Sequence, residues 1–156
     1  MEIVCLATRP DLAPVVASWL WEAFWREGGT GLAEVEALVA TAAGPSSLPQ
    51  SFVLLEDGVP AGTASLAARD LEERPDLAPW LAGLYVAPEY RGRGHARRLV
   101  AAVEEEAARQ GEGALWLYTA GAEGLYEGLG WVRAARVVLP CGPVVLMRRV
   151  AGISRA

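Results

Sequence analysis

Apolar residues in this chain recur first at helical and then at alternating spacing, and each change of period marks a new element. Residues 2–6, EIVCL, read as a short strand. Asp11 stands where a helix N-cap would, ahead of LAPVVASWLWEAFW. There Leu12, Val15, Val16, Trp19, Leu20, Ala23 and Phe24 fall on one stripe, and Pro14 is tolerated in the first turn. After Gly28-Gly29-Thr30, the residues Leu32, Val35, Leu38, Val39 and Ala42 repeat that stripe, which predicts a second helix closed by the loop GPSSLP. From Ser51 the period shortens. SFVLLEDGVPAGTASLAA holds two apolar runs about Asp57-Gly58, a residue pair suited to a tight antiparallel hairpin, and predicts strands two and three. The polar connection RDLEERPDLAP then leads to WLAGLYVAP, residues 80–88, whose mostly apolar character predicts a fourth strand covered on both faces.

Pro88 ends that strand, and Gly92 and Gly94 remove side chains where the chain must bend. Ala96, Leu99, Val100, Val103 and Ala107 mark the buried stripe of a helix that stops near Gly111. ALWLYT, residues 114–119, predicts a fifth strand, AGAEGLYEGLGW a short helix, and two strands follow at about 131–139 and 144–149.

Composition narrows the picture. A chain of 156 residues, 53% hydrophobic, is long enough for one sizeable core and too short for two, so a single domain over 1–156 is expected. A net charge of −5 argues against nucleic acid as partner and favours a cationic or neutral one. Two distant cysteines, Cys5 and Cys141, and no basic-then-apolar leader point to a reducing, cytoplasmic compartment, with Cys5 in the core and Cys141 in a turn between the last strands. The apolar runs are shorter than the ~18 residues of a membrane span, so no membrane is expected. One histidine and two scattered cysteines supply too few ligands for a metal.

The turn between strand four and the third helix carries the chemistry. The first N–H groups of a helix have no partner within it, and they point outward with the positive end of its dipole. A helix beginning at Gly92 and Gly94 therefore forms an anion cradle, which Arg91 and Arg93 flank. A dinucleotide fingerprint fails because Arg97 stands where its third glycine should be, and the Gly-Lys-Ser/Thr of a phosphate-gripping loop is absent.

Arg91-Gly92-Arg93-Gly94-His95-Ala96, after Val86-Ala87-Pro88, instead matches Arg/Gln-x-x-Gly-x-Gly/Ala, and here the chain resembles a GNAT-type N-acetyltransferase. Leu125 to Trp131 is similar to the family's Phe/Leu-Tyr-x-x-x-Gly-Phe/Trp signature. The connection before strand four resembles that of a bacterial subgroup, Asp-Leu-x-x-Arg-Pro-x-Leu-x-Pro-Trp-Leu. The element order βααβββαβαββ resembles the whole fold. The resemblance implies an α/β domain (α+β in some schemes), with a mixed sheet of about seven strands, about four helices, and fourth and fifth strands that splay apart. It implies acetyl-CoA as cosubstrate. The loop Arg91, Gly92, Arg93, Gly94, His95 and Ala96 would hold the pyrophosphate, with His95 contributing its backbone N–H. The edge Leu84, Tyr85 and Val86 would pair with pantetheine, and Thr119 and Tyr126 would complete the cofactor site. An N–H of strand four would polarise the thioester carbonyl.

The implied reaction is direct attack of a primary amine on the thioester in a ternary complex, with Tyr126 donating to the departing thiolate. A free thiol near ~8.5 and a free phenol near ~10 make that transfer nearly matched. The base is less clear, because WLAGLYV lacks the carboxylate many members carry there. Asp70, Glu72 and Glu73 are the candidates, Asp70 first. A low-pKa amine is favoured as acceptor, since at pH 7 deprotonating a lysine-like amine costs about 4.6 kcal/mol and an α-amine about 1.4. Ala120, Gly121 and Ala122 offer no polar side chain before the tyrosine helix, which costs the coenzyme a hydrogen bond the family commonly makes. Trp21 and Trp25 lie off the main stripe of the first helix. They are candidates for an apolar acceptor wall, with a wide core stripe or a homodimer contact as the competing reading. Two alternatives stay open: a non-catalytic acyl-CoA binding or sensing module, and an enzyme acting on a protein N-terminus rather than on a small amine.

Overall fold

The structure, a computed structural model, describes residues 1–41, 49–140 and 142–150. Seven strands form one mixed sheet in the order β1-β2-β3-β4-β5-β7-β6. In chain order these are β1 (Glu2–Cys5), β2 (Gln50–Glu56), β3 (Val59–Ala67), β4 (Trp80–Val86), β5 (Leu115–Thr119), β6 (Val132–Leu139) and β7 (Gly142–Arg149), and the helices are α1 (Ala13–Leu20), α2 (Leu32–Thr41), α3 (His95–Arg109) and α4 (Glu123–Gly128). Ala42 and most of the GPSSLP loop, and Cys141 with its turn, lie outside the described residues. Among those described, no helix is long and apolar enough to cross a membrane, and no group of three or more His, Cys, Asp or Glu could hold a metal ion.

Alternation along the strands sorts the core onto two faces. Leu81, Leu115, Leu117 and Met147 join Leu99, Val100, Val103 and Ala107 of α3 and Tyr126 of α4 on one face. The interleaved Trp80 and Leu146 face the other way, with Trp116 and Tyr118 half-buried against them. On that second face, α1 and α2 cover Val53 and Leu55 of β2 through Val16, Val35 and Val39, with Leu12 just ahead of α1. The β2–β3 hairpin turns on Asp57 (φ 53°) and Gly58 (φ 78°), two successive left-handed residues, as the sequence predicts for this pair.

Several expectations need correction. Asp11 does not cap the first helix. Leu12 occupies that position without a side-chain cap, and the Asp11 carboxylate accepts from Arg9 at 3.0 and 2.9 Å. The predicted first helix is not continuous: after α1 the chain widens into a π turn, Trp21–Trp25, closed by Arg26 N–H donating to the Trp21 carbonyl at 2.7 Å. The Trp21 indole donates to the Thr30 carbonyl at 2.8 Å, which anchors that turn to the start of α2. Phe24 and Leu38, assigned to buried stripes, are exposed. Cys5 is half-buried rather than fully in the core.

Strand β4 departs from its expected burial for a reason that matters to function. Trp80 and Leu81 are buried, but from Ala82 to Val86 the strand is only half-buried. Its register with β3 slips between Thr63↔Tyr85 and Ser65↔Ala82, so that β4 carries an extra residue there. Gly83, with φ 62°, adopts the left-handed conformation within that bulge. The bulge inverts the alternation. Leu84 and Val86 now fall on the face of Leu81, and Tyr85 turns to the opposite face, where its ring lies 5.7 Å from that of Trp19.

Candidate active site

β4 and β5 are parallel neighbours whose register carries one Cα pair, Trp80 with Trp116, backed by Trp116 N–H to the Pro79 carbonyl at 3.1 Å. Beyond that point the strands diverge. A wedge therefore opens toward their carboxyl ends, Val86 and Thr119. Because the strands are parallel, the loop to α3 and the segment to α4 both leave from this open end, the usual place for a ligand in a sheet of this kind.

At the rim, Pro88–Tyr90 forms a single 3₁₀ turn, and Gly92 and Gly94 both take φ 81°. Gly94 precedes α3 and supplies no side-chain cap, so the N–H groups of the first turn of α3 are left for an external acceptor. Arg98 N–H is the first to bond back, to the Gly94 carbonyl at 3.2 Å. The turn has the backbone geometry expected of its glycines, and it is held by side chains the sequence does not reveal. His95 is 1% exposed, and its Nε2 donates to Glu56 Oε1 at 2.7 Å, since a carboxylate has no hydrogen to give. Glu56 Oε2 takes Arg93, whose guanidinium also covers the Tyr90 ring at 5.2 Å. Arg91 turns back on the strand: its Nε donates to the Val86 carbonyl at 2.8 Å and its guanidinium lies 5.5 Å over the Tyr85 ring. Ala96 is half-buried on the first turn of α3. The last residue of β2 thus clamps the loop from 37 and 39 residues away. The glycines were legible; their clamp, so distant in sequence, was not.

On the other side of the wedge, the Thr119 hydroxyl accepts from the Ala122 N–H at 3.0 Å and steers the chain into α4. Tyr126 is buried on α4, with Trp131 edge-on at 6.1 Å, and burial pushes its phenol up to about 12. That value widens the gap expected from free tyrosine and thiol. A full proton transfer to a thiolate of pKa ~8.5 would run uphill by ~3.5 units, or about 5 kcal/mol, so the buried phenol serves better as a hydrogen-bond donor that keeps its proton.

Asp70 lies after β3, beside Leu71, which packs with Trp80 and Leu146. That is the face opposite Tyr126, and the wedge is where the two faces communicate. The Asp70 carboxyl is open to solvent, yet surrounding protein desolvates it enough to push it up to about 6. Glu72 and Glu73 are exposed. Trp21 packs against the α1–α2 core and Trp25 is exposed, and the aromatic that reaches β4 is Trp19, two residues before Trp21.

Comparison with known proteins adds a second line. The profile of the acetyltransferase (GNAT) family matches residues 14–131. Over 114 residues the chain is 37% identical to the mycothiol acetyltransferase of Kineococcus radiotolerans, an alignment covering 72% of this chain and 36% of that protein. The chain spans about a third of the length of the curated relatives it matches. An aminoglycoside 6′-N-acetyltransferase solved with coenzyme A superposes with a TM-score of 0.79 at 17% identity, over 100% of this chain and 99% of the other. An acetyltransferase structure from Salmonella typhimurium with its cofactor acetyl-CoA does so at 0.69 and 18%, over 100% and 98%. At such identities these two likenesses concern the fold.

Proposed function

The chain belongs to the GNAT acetyltransferase family, and from that premise we propose that residues 1–156 act as one catalytic domain moving an acetyl group from acetyl-CoA to a primary amine, which attacks directly in a ternary complex. The observation that carries this reading is the wedge: two parallel strands joined at Trp80 and Trp116 and parted beyond, beneath an uncapped helix N-terminus. Amides from Gly92 to Ala96 hold the pyrophosphate, and the Arg91 and Arg93 side chains frame it. The pantetheine arm completes the edge of β4 at Leu84, Tyr85 and Val86, where Arg91 now stands in at the Val86 carbonyl, and a backbone N–H of this strand meets the thioester carbonyl. Tyr126 donates a hydrogen bond to the thiolate as it departs. Thr119 shapes the turn that brings α4 to the sulfur.

Asp70 accepts the proton of the incoming amine, directly or through water. A carboxylate raised to about 6 is a stronger base than an ordinary one and still ionised at neutral pH, which suits an acceptor of low pKa. The name of the curated relative, a mycothiol acetyltransferase, favours a small-molecule amine over a protein N-terminus. The deciding experiment is thiol release from acetyl-CoA with spermidine, kanamycin, glucosamine and an alanine-initiated hexapeptide. Tyr126→Phe is expected to lower kcat by about 10²- to 10⁴-fold while remaining folded. Tight coenzyme binding without thiol release from any of the four would instead establish a non-catalytic acyl-CoA binding module.

A further inference from the structure

Behind Tyr126 stands a network that the signature motif leaves unused. Trp131, 2% exposed, sets its ring edge-on to Tyr126, and its backbone N–H donates to the Tyr126 carbonyl at 3.0 Å. The indole N–H of the same residue donates to Glu104 Oε2 on α3 at 2.9 Å. Arg149, the last residue of β7, brings its Nε to that same oxygen at 3.0 Å, and both charged side chains are more than four-fifths buried. A single carboxylate oxygen thus ties the long helix, the sheet and the turn after α4 together. Gly130, with φ 99°, admits the arrangement, because a β-carbon there would fall on the Arg149 guanidinium.

α4 is six residues long and lacks a side-chain cap. So short a helix cannot hold its own orientation, and the direction of its tyrosine must come from packing. The ring against which Tyr126 packs is in turn oriented by the one polar atom it has, its N–H. We propose that Glu104 is a positioning residue for acetyl transfer: through the Trp131 indole N–H, with Arg149 steadying the carboxylate, it fixes the surface that aims the Tyr126 phenol at the sulfur. This rests on Tyr126 being the donor to the leaving thiolate. Glu104 touches neither substrate nor cofactor. Its effect belongs in kcat, because a donor displaced by about 1 Å costs up to about 10²-fold in the chemical step while the coenzyme is gripped elsewhere.

The test is a cycle of Glu104→Ala and Tyr126→Phe, alone and together, followed by thiol release with whichever of spermidine, kanamycin, glucosamine or the alanine-initiated hexapeptide turns over fastest. Glu104→Ala is expected to lower kcat about tenfold to a hundredfold with the KM for acetyl-CoA unchanged, and to change kcat less than about twofold in the Tyr126→Phe background. Glu104→Gln, whose carbonyl still accepts from the indole, is expected to recover kcat to within about threefold of the parent, and it keeps the question answerable should the alanine variant unfold. An equal loss with Tyr126 present and with it replaced, a loss confined to KM, or no recovery with glutamine overturns the proposal and leaves Glu104 a structural anchor. If Tyr126→Phe itself costs less than about twofold, the role of Tyr126 fails, and the positioning role falls with it.

Discussion

Desolvation moves Tyr126 and Asp70 in the same direction. A buried phenol raised to about 12 keeps its proton, and a carboxyl raised to about 6 binds one more tightly than an ordinary carboxyl. If Asp70 is the base, kcat/KM for a low-pKa amine should rise with pH through about 6, and Asp70→Asn should abolish that limb; a limb that survives the substitution would remove Asp70 from the mechanism. The same shift has a stability consequence of definite sign. Folding raises this carboxyl above its unfolded value of ~3.9, so its favourable contribution is complete below pH ~4 and is lost as pH rises through about 6. Asp70→Asn should therefore raise Tm at pH 7.5 relative to the parent by more than at pH 3.5, as calorimetry at the two values would read. The short helix that carries Tyr126 was legible in the sequence because Leu125 to Trp131 form a recognisable spacing. The environment of Asp70 was not, since nothing local records how much protein surrounds a loop carboxylate.

Strand β4 and the loop after it show how far local reading reaches among the elements. The Asp57-Gly58 hairpin was legible because the turn imposes its own backbone angles. The bulge was also written in the chain, as Gly83 within an otherwise apolar run, but reading WLAGLYV as a continuous buried strand passed over it. Gly83→Ala would force a side chain into φ 62° and bring its methyl about 3.4 Å from Leu20 Cδ2. Denaturant unfolding should show a loss of about 1–2 kcal/mol, and acetyl-CoA affinity should fall with it as the free edge of β4 is disturbed. The loop clamp makes a separable forecast. His95→Ala or Glu56→Ala removes the contact that holds the glycine turn in place, and should weaken acetyl-CoA binding about tenfold, worth about 1.4 kcal/mol, with kcat little changed. Titration calorimetry with the coenzyme reads this directly, and an unchanged affinity would show that the loop holds its shape without help.

Taken whole, the molecule is a sheet with a gap between β4 and β5, bridged at one end by Trp80 and Trp116 and on one face by α3 and α4. The order of elements was readable from the alternation of periods. The widening of α1 into a π turn was not, because it depends on the Trp21 indole finding a carbonyl nine residues on. A coenzyme that pairs with β4 across the gap binds only the folded chain. At a concentration 100 times its Kd it should contribute about 2.7 kcal/mol, a rise in Tm of about 5–10 °C in a thermal-shift assay. At equal ligand concentrations, a rise no larger with acetyl-CoA than with pantetheine alone would mean that the pyrophosphate loop contributes nothing.

The parting of β4 from β5 has a consequence beyond chemistry. If pantetheine pairs with β4 as proposed, the sheet lacks a rung that its own ligand supplies. Cohesion between its two halves would then follow the coenzyme, acylated or free, and a chain without it would stand unstitched along that seam.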